Sequence, residues 1–216
     1  MVGSLLYASN TTRVDIAYAV QQLSQGMSAP CVYHVLRAKR CMRYLQGTRD
    51  RVLVFGRNSA TAPILNGYCD SDWAGDADSK SITGNLLYCY GSLIGWLSKK
   101  QTIIAQSSCE AEYNAITTMS NNVMWGINWL NELFNVDIIG VPVFSDSQAA
   151  IALAANVGIS PRTKHIAVRV HLIRSMVKEG LIKLLHVATE KNLSDILTKP
   201  LPKEQFGILT EQLLIQ

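Results

Sequence analysis

The stretch Gly67-Tyr68-Cys69-Asp70-Ser71-Asp72-Trp73-Ala74-Gly75 decides how the rest of the chain is read. An apolar run, Ala62-Pro63-Ile64-Leu65, leads into it, and a turn rich in Gly, Asp and Ser follows. A strand that leaves a core and ends on carboxylates needs a partner for them, because a half-buried carboxylate without one is costly. A divalent ion is the simplest partner, but one acidic pair holds Mg²⁺ poorly. The chain has further acids to offer at Glu112, Asp146 and Asp195.

Working outward, residues 63–72 read as a first strand. A second runs from about 81 to 90, and Gly91-Ser92 turns the chain into a third, 93–97, which is expected to resume at 102–105. Ser107-Ser108-Cys109-Glu110 has the form of a capping box and opens a helix with apolar residues at helical spacing from Ala111 to Phe134. Residues 141–144 form a strand ending in Ser145-Asp146-Ser147. Helices over 149–155 and 163–178, a strand over 181–187, a short helix over 193–198 and a closing helix over 203–214 complete the order. Three strands in a meander followed by alternating helices and strands predict an α/β protein with a mixed sheet and helices on its faces.

Upstream, residues 12–26 and 32–46 read as helices and 52–55 as a short strand. The small polar run from Gly56 to Thr61 marks a boundary, giving a helical unit over 1–60, an α/β domain over 61–202 and a C-terminal helix over 203–216. Residues 1–60 carry eight Arg or Lys against Asp15 and Asp50, whereas the remainder is slightly acidic. That asymmetry suits a polyanion held near a metal site, although solvated helix faces account for the charge equally well.

The hydrophobic fraction of 48% and charged fraction of 17% fit a globular protein with a real core. No apolar run is long enough to span a bilayer, and the N-terminus has no basic region of the signal-peptide kind. Five cysteines without a C-x-x-C pair favour free thiols in a reducing compartment over disulfides or a zinc site.

Asp70 sits on the first strand, Glu112 in the first turns of the long helix, Asp146 at a strand end and Asp195 near a helix start. Asp146 and Asp195 also suit plain capping, and Glu110 is best explained as the arm of the capping box. Four converging carboxylates would make a hard-oxygen site for Mg²⁺ or Mn²⁺, and two such ions can drive phosphodiester cleavage. A glycosidase needs only two carboxylates and leaves the other acids and the basic quarter without a role.

At these residues the sequence resembles the end of the Pol polyprotein of copia-type LTR retrotransposons. YCDSDWAGD, SITGNLLY, GWLSKKQ, SSCEAEYNAI, SDSQAAIALA, RTKHIAVRVHLIR and LSDILTKPLP look like that family's ribonuclease H domain across residues 63–202. VGSLLYASNTTRVDIAYAVQQLSQGMS and KRCMRYLQGT resemble the segment joining it to the reverse transcriptase. The resemblance implies a ribonuclease H-like fold with a five-stranded mixed sheet and a small helical N-terminal appendage. It also implies cleavage of the RNA strand of RNA–DNA hybrids with two Mg²⁺ (or Mn²⁺) ions on Asp70, Glu112, Asp146 and Asp195. His165 is the matching candidate for a proton carrier, against the alternative of a surface histidine, with His171 ranked below it. Arg162, Lys164 and Arg169, with Lys99 and Lys100, are candidates for contact with the hybrid backbone. The reverse transcriptase portion of the parent polyprotein is the expected partner, no membrane is expected, and the setting is a virus-like particle in the cytoplasm, or the nucleus. Val14, Ala167 and Ser175 depart from the family's usual Pro, Asp and Glu, and polymerase, protease and integrase motifs are missing. The competing reading is a catalytically silent nucleic-acid-binding remnant of such an element.

Overall fold

The computed structural model describes residues 1–56, 62–75, 78–155 and 167–214. Its centre is a five-stranded sheet in the order β3-β2-β1-β4-β5, built from β1 (Leu65–Asp72), β2 (Ile82–Cys89), β3 (Ser92–Lys100), β4 (Val141–Ser145) and β5 (Ile182–His186). The first three strands pair antiparallel, while β4 runs parallel to β1 and β5 parallel to β4. This is the ribonuclease H-like arrangement that the resemblance implied. Chain order reverses across the sheet at β1, which leaves towards β2 on one side and meets β4 on the other. Ligands gather at such switch points, outside the carboxyl ends of the parallel strands.

Alternation along β1 sorts the two faces. Leu65 and Cys69 point to one side, where they pack with Tyr113, Ile116, Met119 and Val123 of α4 (Ser108–Phe134). α5 (Gln148–Ala155) and α6 (Ala167–Lys178) extend that layer through Ala150, Ala154, Val170, Ile173 and Met176. Fully burying side chains such as Ile116 and Met119 contributes about 1.5–3 kcal/mol each. Tyr68, Leu86 and Leu93 serve the other face, joined by Val14, Ala17, Ile196, Leu197 and three leucines, Leu209, Leu213 and Leu214. That second core takes residues from the N-terminal helices, from a 3-10 helix at Leu193–Leu197 and from α7 (Lys203–Leu213) with its C-cap.

Four sequence expectations change in detail. The helix expected over 12–26 is instead α1 (Val2–Thr11), a 3-10 turn at Val14–Ile16 and α2 (Ala17–Gln25). The break follows a buried ion pair, Arg13 Nη2 to Asp15 Oδ2 at 2.7 Å, whose partners also bind Thr48 and Tyr44 of the neighbouring segment. Residues 52–55 make one isolated bridge at Val52 rather than a strand. The third strand runs unbroken to Lys100 and does not resume at 102–105, where Ile103 and Ile104 are exposed. The short helix near 193–198 is 3-10, its first turn capped by Asn192 Oδ1. α3 (Val32–Gly47) matches the helix expected there. The first residues of the helix expected over 163–178, and most of the boundary at 56–61, lie outside the described residues.

Close approach of the 193–198 segment to the sheet depends on Gly84. A Cβ there would lie 2.8 Å from the carbonyl oxygen of Ser194 and 2.9 Å from Leu197 Cβ. Gly84→Ala should therefore cost about 1–3 kcal/mol in a denaturant melt. Gly3→Ala, at a position with nothing within 4 Å, should leave stability unchanged or slightly raised.

Candidate metal centre

Three acids meet at the carboxyl end of the parallel strands. Asp70 is the sixth residue of β1, Glu112 lies in the second turn of α4, and Asp146 follows directly on β4. Their ligand atoms all lie within 4.8 Å of one another, with Asp70 and Glu112 buried and Asp146 half-buried. Each is held by a neighbour. Thr198 Oγ1 donates to Asp70 Oδ2, Thr189 Oγ1 donates to Asp146 Oδ2 at 2.8 Å, and the backbone N–H of Ser71 donates to Glu112 Oε1 at 3.3 Å. Glu112 Oε2 is buried with no hydrogen-bond partner. An orphaned, buried carboxylate oxygen on a residue clustered with two other carboxylates is what a hard divalent cation fits.

The electrostatics agree with that reading. Burial, then the neighbouring charge of Asp195, pushes Asp70 up to about 7. Burial, then the charges of Asp70 and Asp146, pushes Glu112 up to about 9. Metal-free, these groups hold protons because like charges in a low-dielectric site cannot all ionise.

Asp195 occupies a different position. It is only 1% exposed and lies outside the three-acid cluster. Its Oδ2 is 2.9 Å from Lys199 Nζ one turn on. Burial raises its pKa, while Lys199 pulls it down. The Lys199 ammonium loses by burial, yet Asp70, Asp195 and Asp146 together raise its pKa. It is thus an internal cation set against the acids. Sequence reasoning passed over Lys199 and Thr198, although their offsets of four and three from Asp195 in Leu193-Ser194-Asp195-Ile196-Leu197-Thr198-Lys199 carry the signal. It also missed Asn192, which is fully buried and ties the Asp195 segment to β1 by donating from Nδ2 to the carbonyl of Cys69 at 3.1 Å.

The other expected residues divide. Arg162, Lys164 and His165 lie outside the described residues. Arg169, Lys99 and Lys100 come together around a cleft of about 290 Å³ beside α4, with Gln101, Asn114 and Thr117 in its wall. Arg169 Nη1 donates to Asn114 Oδ1 at 2.9 Å, and Asn114 Nδ2 to Gln101 Oε1 at 3.0 Å. Lys99 is exposed, whereas Lys100 is engaged by Asp78 at 2.9 Å and Gln25 at 2.7 Å. Asp72 turns its carboxylate onto the backbone at Gly75, where no Cβ would fit, as a turn residue does. Glu110 accepts from the N–H of Gln106 at 2.8 Å while Ser107 Oγ accepts from the N–H of Glu110, so it secures the helix start.

Comparison with known proteins places this geometry in a context. No family model matches the chain. The retrovirus-related Pol polyprotein from transposon TNT 1-94 of Nicotiana tabacum is 43% identical over 211 residues, 97% of this chain and 16% of that protein. The corresponding polyprotein from transposon RE1 of Arabidopsis thaliana is 39% identical over 208 residues, 95% of this chain and 14% of that protein. The secreted RxLR effector protein 161 of Plasmopara viticola is 43% identical over 125 residues, 57% of this chain and 87% of that protein. Among solved structures, LC11-RNase H1 in complex with an RNA/DNA hybrid is similar with a TM-score of 0.46 and 18% identity, covering 62% of this chain and 93% of that one. The chain spans about one sixth of the length of the polyproteins it matches. At 39–43% identity along nearly its whole length, the chain is homologous to one segment of the retrovirus-related Pol polyproteins of plant transposons.

Proposed function

We propose that this segment is a divalent-metal-dependent endonuclease that cleaves the RNA strand of RNA–DNA hybrids within a transposon Pol polyprotein. The observation that carries the reading is the cluster of Asp70, Glu112 and Asp146 at the switch point of a ribonuclease H-like sheet, in a chain homologous to such polyproteins. Asp70, Glu112 and Asp146 would hold Mg²⁺ or Mn²⁺, with Asp195 completing a two-ion site. Two such ions supply an activated water and a stabilised leaving oxygen in phosphodiester hydrolysis.

The protein's own part is positioning. Thr198 and Thr189 fix the carboxylates of Asp70 and Asp146, so the acids are aimed before any ion arrives. Lys199 favours the ionised form of Asp195 against the burial that raises its pKa, and offsets negative charge when no metal is bound. His165 is proposed as the proton carrier. Arg162, Lys164, Arg169, Lys99 and Lys100 are proposed to hold the hybrid backbone, which gives affinity with little sequence preference. Within the parent polyprotein the partner is the reverse transcriptase portion, to which residues 1–60 would connect, and the setting is the cytoplasmic virus-like particle or the nucleus.

The direct assay is cleavage of an end-labelled RNA–DNA hybrid by the purified chain with Mg²⁺. Asp70→Asn and Glu112→Gln should each lower the rate by about 1,000-fold or more. No cleavage by the wild-type chain, or cleavage indifferent to both changes, supports the silent remnant instead.

Two further expectations concern the site itself. Asp70 and Glu112 have folded-state values of about 7 and about 9, above their ordinary 3.8 and 4.5. Between those limits the unfolded chain binds fewer protons than the folded one, so metal-free stability should fall as pH rises from 4 to 9. The melting temperature should drop by about 5 °C or more across that window, recover with Mg²⁺, and flatten in Glu112→Gln. A flat profile in the wild-type chain argues against buried, competing carboxylates. Lys199→Met removes the competing cation. Calorimetry should show Mn²⁺ binding strengthened by about 3- to 10-fold, alongside a lower metal-free melting temperature.

A further inference from the structure

α3 presents a surface that the carboxylate site does not explain. One side of the helix is buried through Ala38 and Cys41 against α1 and α2. The other exposes Arg37, Lys39, Arg40 and Arg43, and residues 16–49 contain no acidic residue at all. Among the described residues none of these four cations is ion-paired; Arg37 lies over the Tyr33 ring at 4.3 Å. Cations left unpaired along a whole helix fit a polyanion.

Contacts tie the start of this helix to the catalytic end of the sheet. Asp72 pairs with Ile82, and Ile82 with Lys100, so the end of β3 lies about 10 Å across the sheet from the end of β1. Lys100 Nζ donates to Gln25 Oε1 at the end of α2. The next residue, Gly26, packs on the His34 ring, where a Cβ would lie 2.5 Å from Nε2. His34 Nδ1 accepts from the N–H of Cys31, the N-cap of α3. From there the 16 residues of α3 extend about 24 Å. Exposed Lys99, next to Lys100 at the end of β3, has no ion-pair partner among the described residues.

We propose that the exposed face of α3 is a second binding surface for the RNA–DNA hybrid. Arg37, Lys39, Arg40 and Arg43, with Lys99 as the intermediate contact, grip backbone phosphates a helical turn or more from the carboxylates. This rests on the ribonuclease reading and adds a consequence: engagement depends on duplex length, because a short hybrid fills the site without reaching α3. Val32 and Leu36 are exposed on the same face and would suit a protein partner, but four cations in a stretch of sequence without one acid favour a polyanion.

The test is hybrid binding by fluorescence anisotropy in EDTA, so that no turnover intervenes. Hybrids of about 8 and about 24 base pairs are titrated between about 50 and 200 mM salt. The variant Lys39→Gln/Arg40→Gln/Arg43→Gln changes only exposed side chains, and its fold is checked by circular dichroism. It should weaken binding of the long hybrid by about 10-fold or more and reduce the slope of log K against log salt by about 2–3, near 0.9 per lost phosphate contact, while the short hybrid binds as before. Wild-type affinity and slope for the long hybrid in this variant would overturn the proposal and leave the face to a protein partner. Mg²⁺-dependent cleavage of the short hybrid is scored separately. Cleavage with an unchanged slope keeps the ribonuclease reading and sinks this one, and a reduced slope without cleavage does the reverse.

Discussion

Three carboxylates brought within 4.8 Å of one another, two of them buried, are the constraint on which the rest of the molecule turns. Fully ionised and without a counter-charge, such a cluster would repel itself by several kcal/mol in a low-dielectric site. The fold answers in two ways. It lets Asp70 and Glu112 keep protons, and it sets Lys199 beside Asp195 at the edge of the cluster. Neither remedy removes the strain, because Glu112 Oε2 still has no donor. A site strained alone, which a bound cation would relieve, is the trade of stability for function that the proposed metal-dependent role requires.

The architecture explains how distant residues come to share this spot. β1 is the strand at which the chain order reverses, so its carboxyl end lies at the switch point where ligands gather in such sheets. α4 delivers Glu112 from one face of the sheet, and the 193–199 segment delivers Asp195, Thr198 and Lys199 from the other. The second delivery needs two fastenings. Gly84 lets the segment lie directly on β2, and the buried side chain of Asn192 holds it to the β1 backbone one residue before Asp70. The N-terminal helices and α7 pack into the same core as that segment, so they support the site from that face.

Much of this was legible in the sequence, for different physical reasons. An apolar lead-in and bounding turn residues marked β1 and β2, and the Ser107–Glu110 box with its long apolar period marked α4, because local pattern reports local structure directly. That Asp70, Glu112 and Asp146 meet came from the order of recognisable motifs; spacing alone does not say that residues 42 and 76 positions apart from Asp70 converge on it. α1 escaped notice because its buried positions, Leu5 and Ser9, make a weak stripe, and the Arg13–Asp15 pair that ends the first helical stretch draws its strength from Thr48 and Tyr44 far along the chain. Asn192 and Gly84 look like ordinary loop and strand residues until the neighbour they touch is known. Lys199 reads as a surface lysine in sequence and proves to be a half-buried counter-charge.

The account stands or falls on whether the three acids share an ion. Anomalous diffraction from crystals soaked in Mn²⁺ addresses that without relying on turnover or on a substrate. The expected map has its strongest peak among the carboxylates of Asp70, Glu112 and Asp146, with Lys199 drawn back from Asp195 if a second ion enters. A map with no peak there, or with manganese held only by exposed acids such as Asp78 and Asp137, would contradict it.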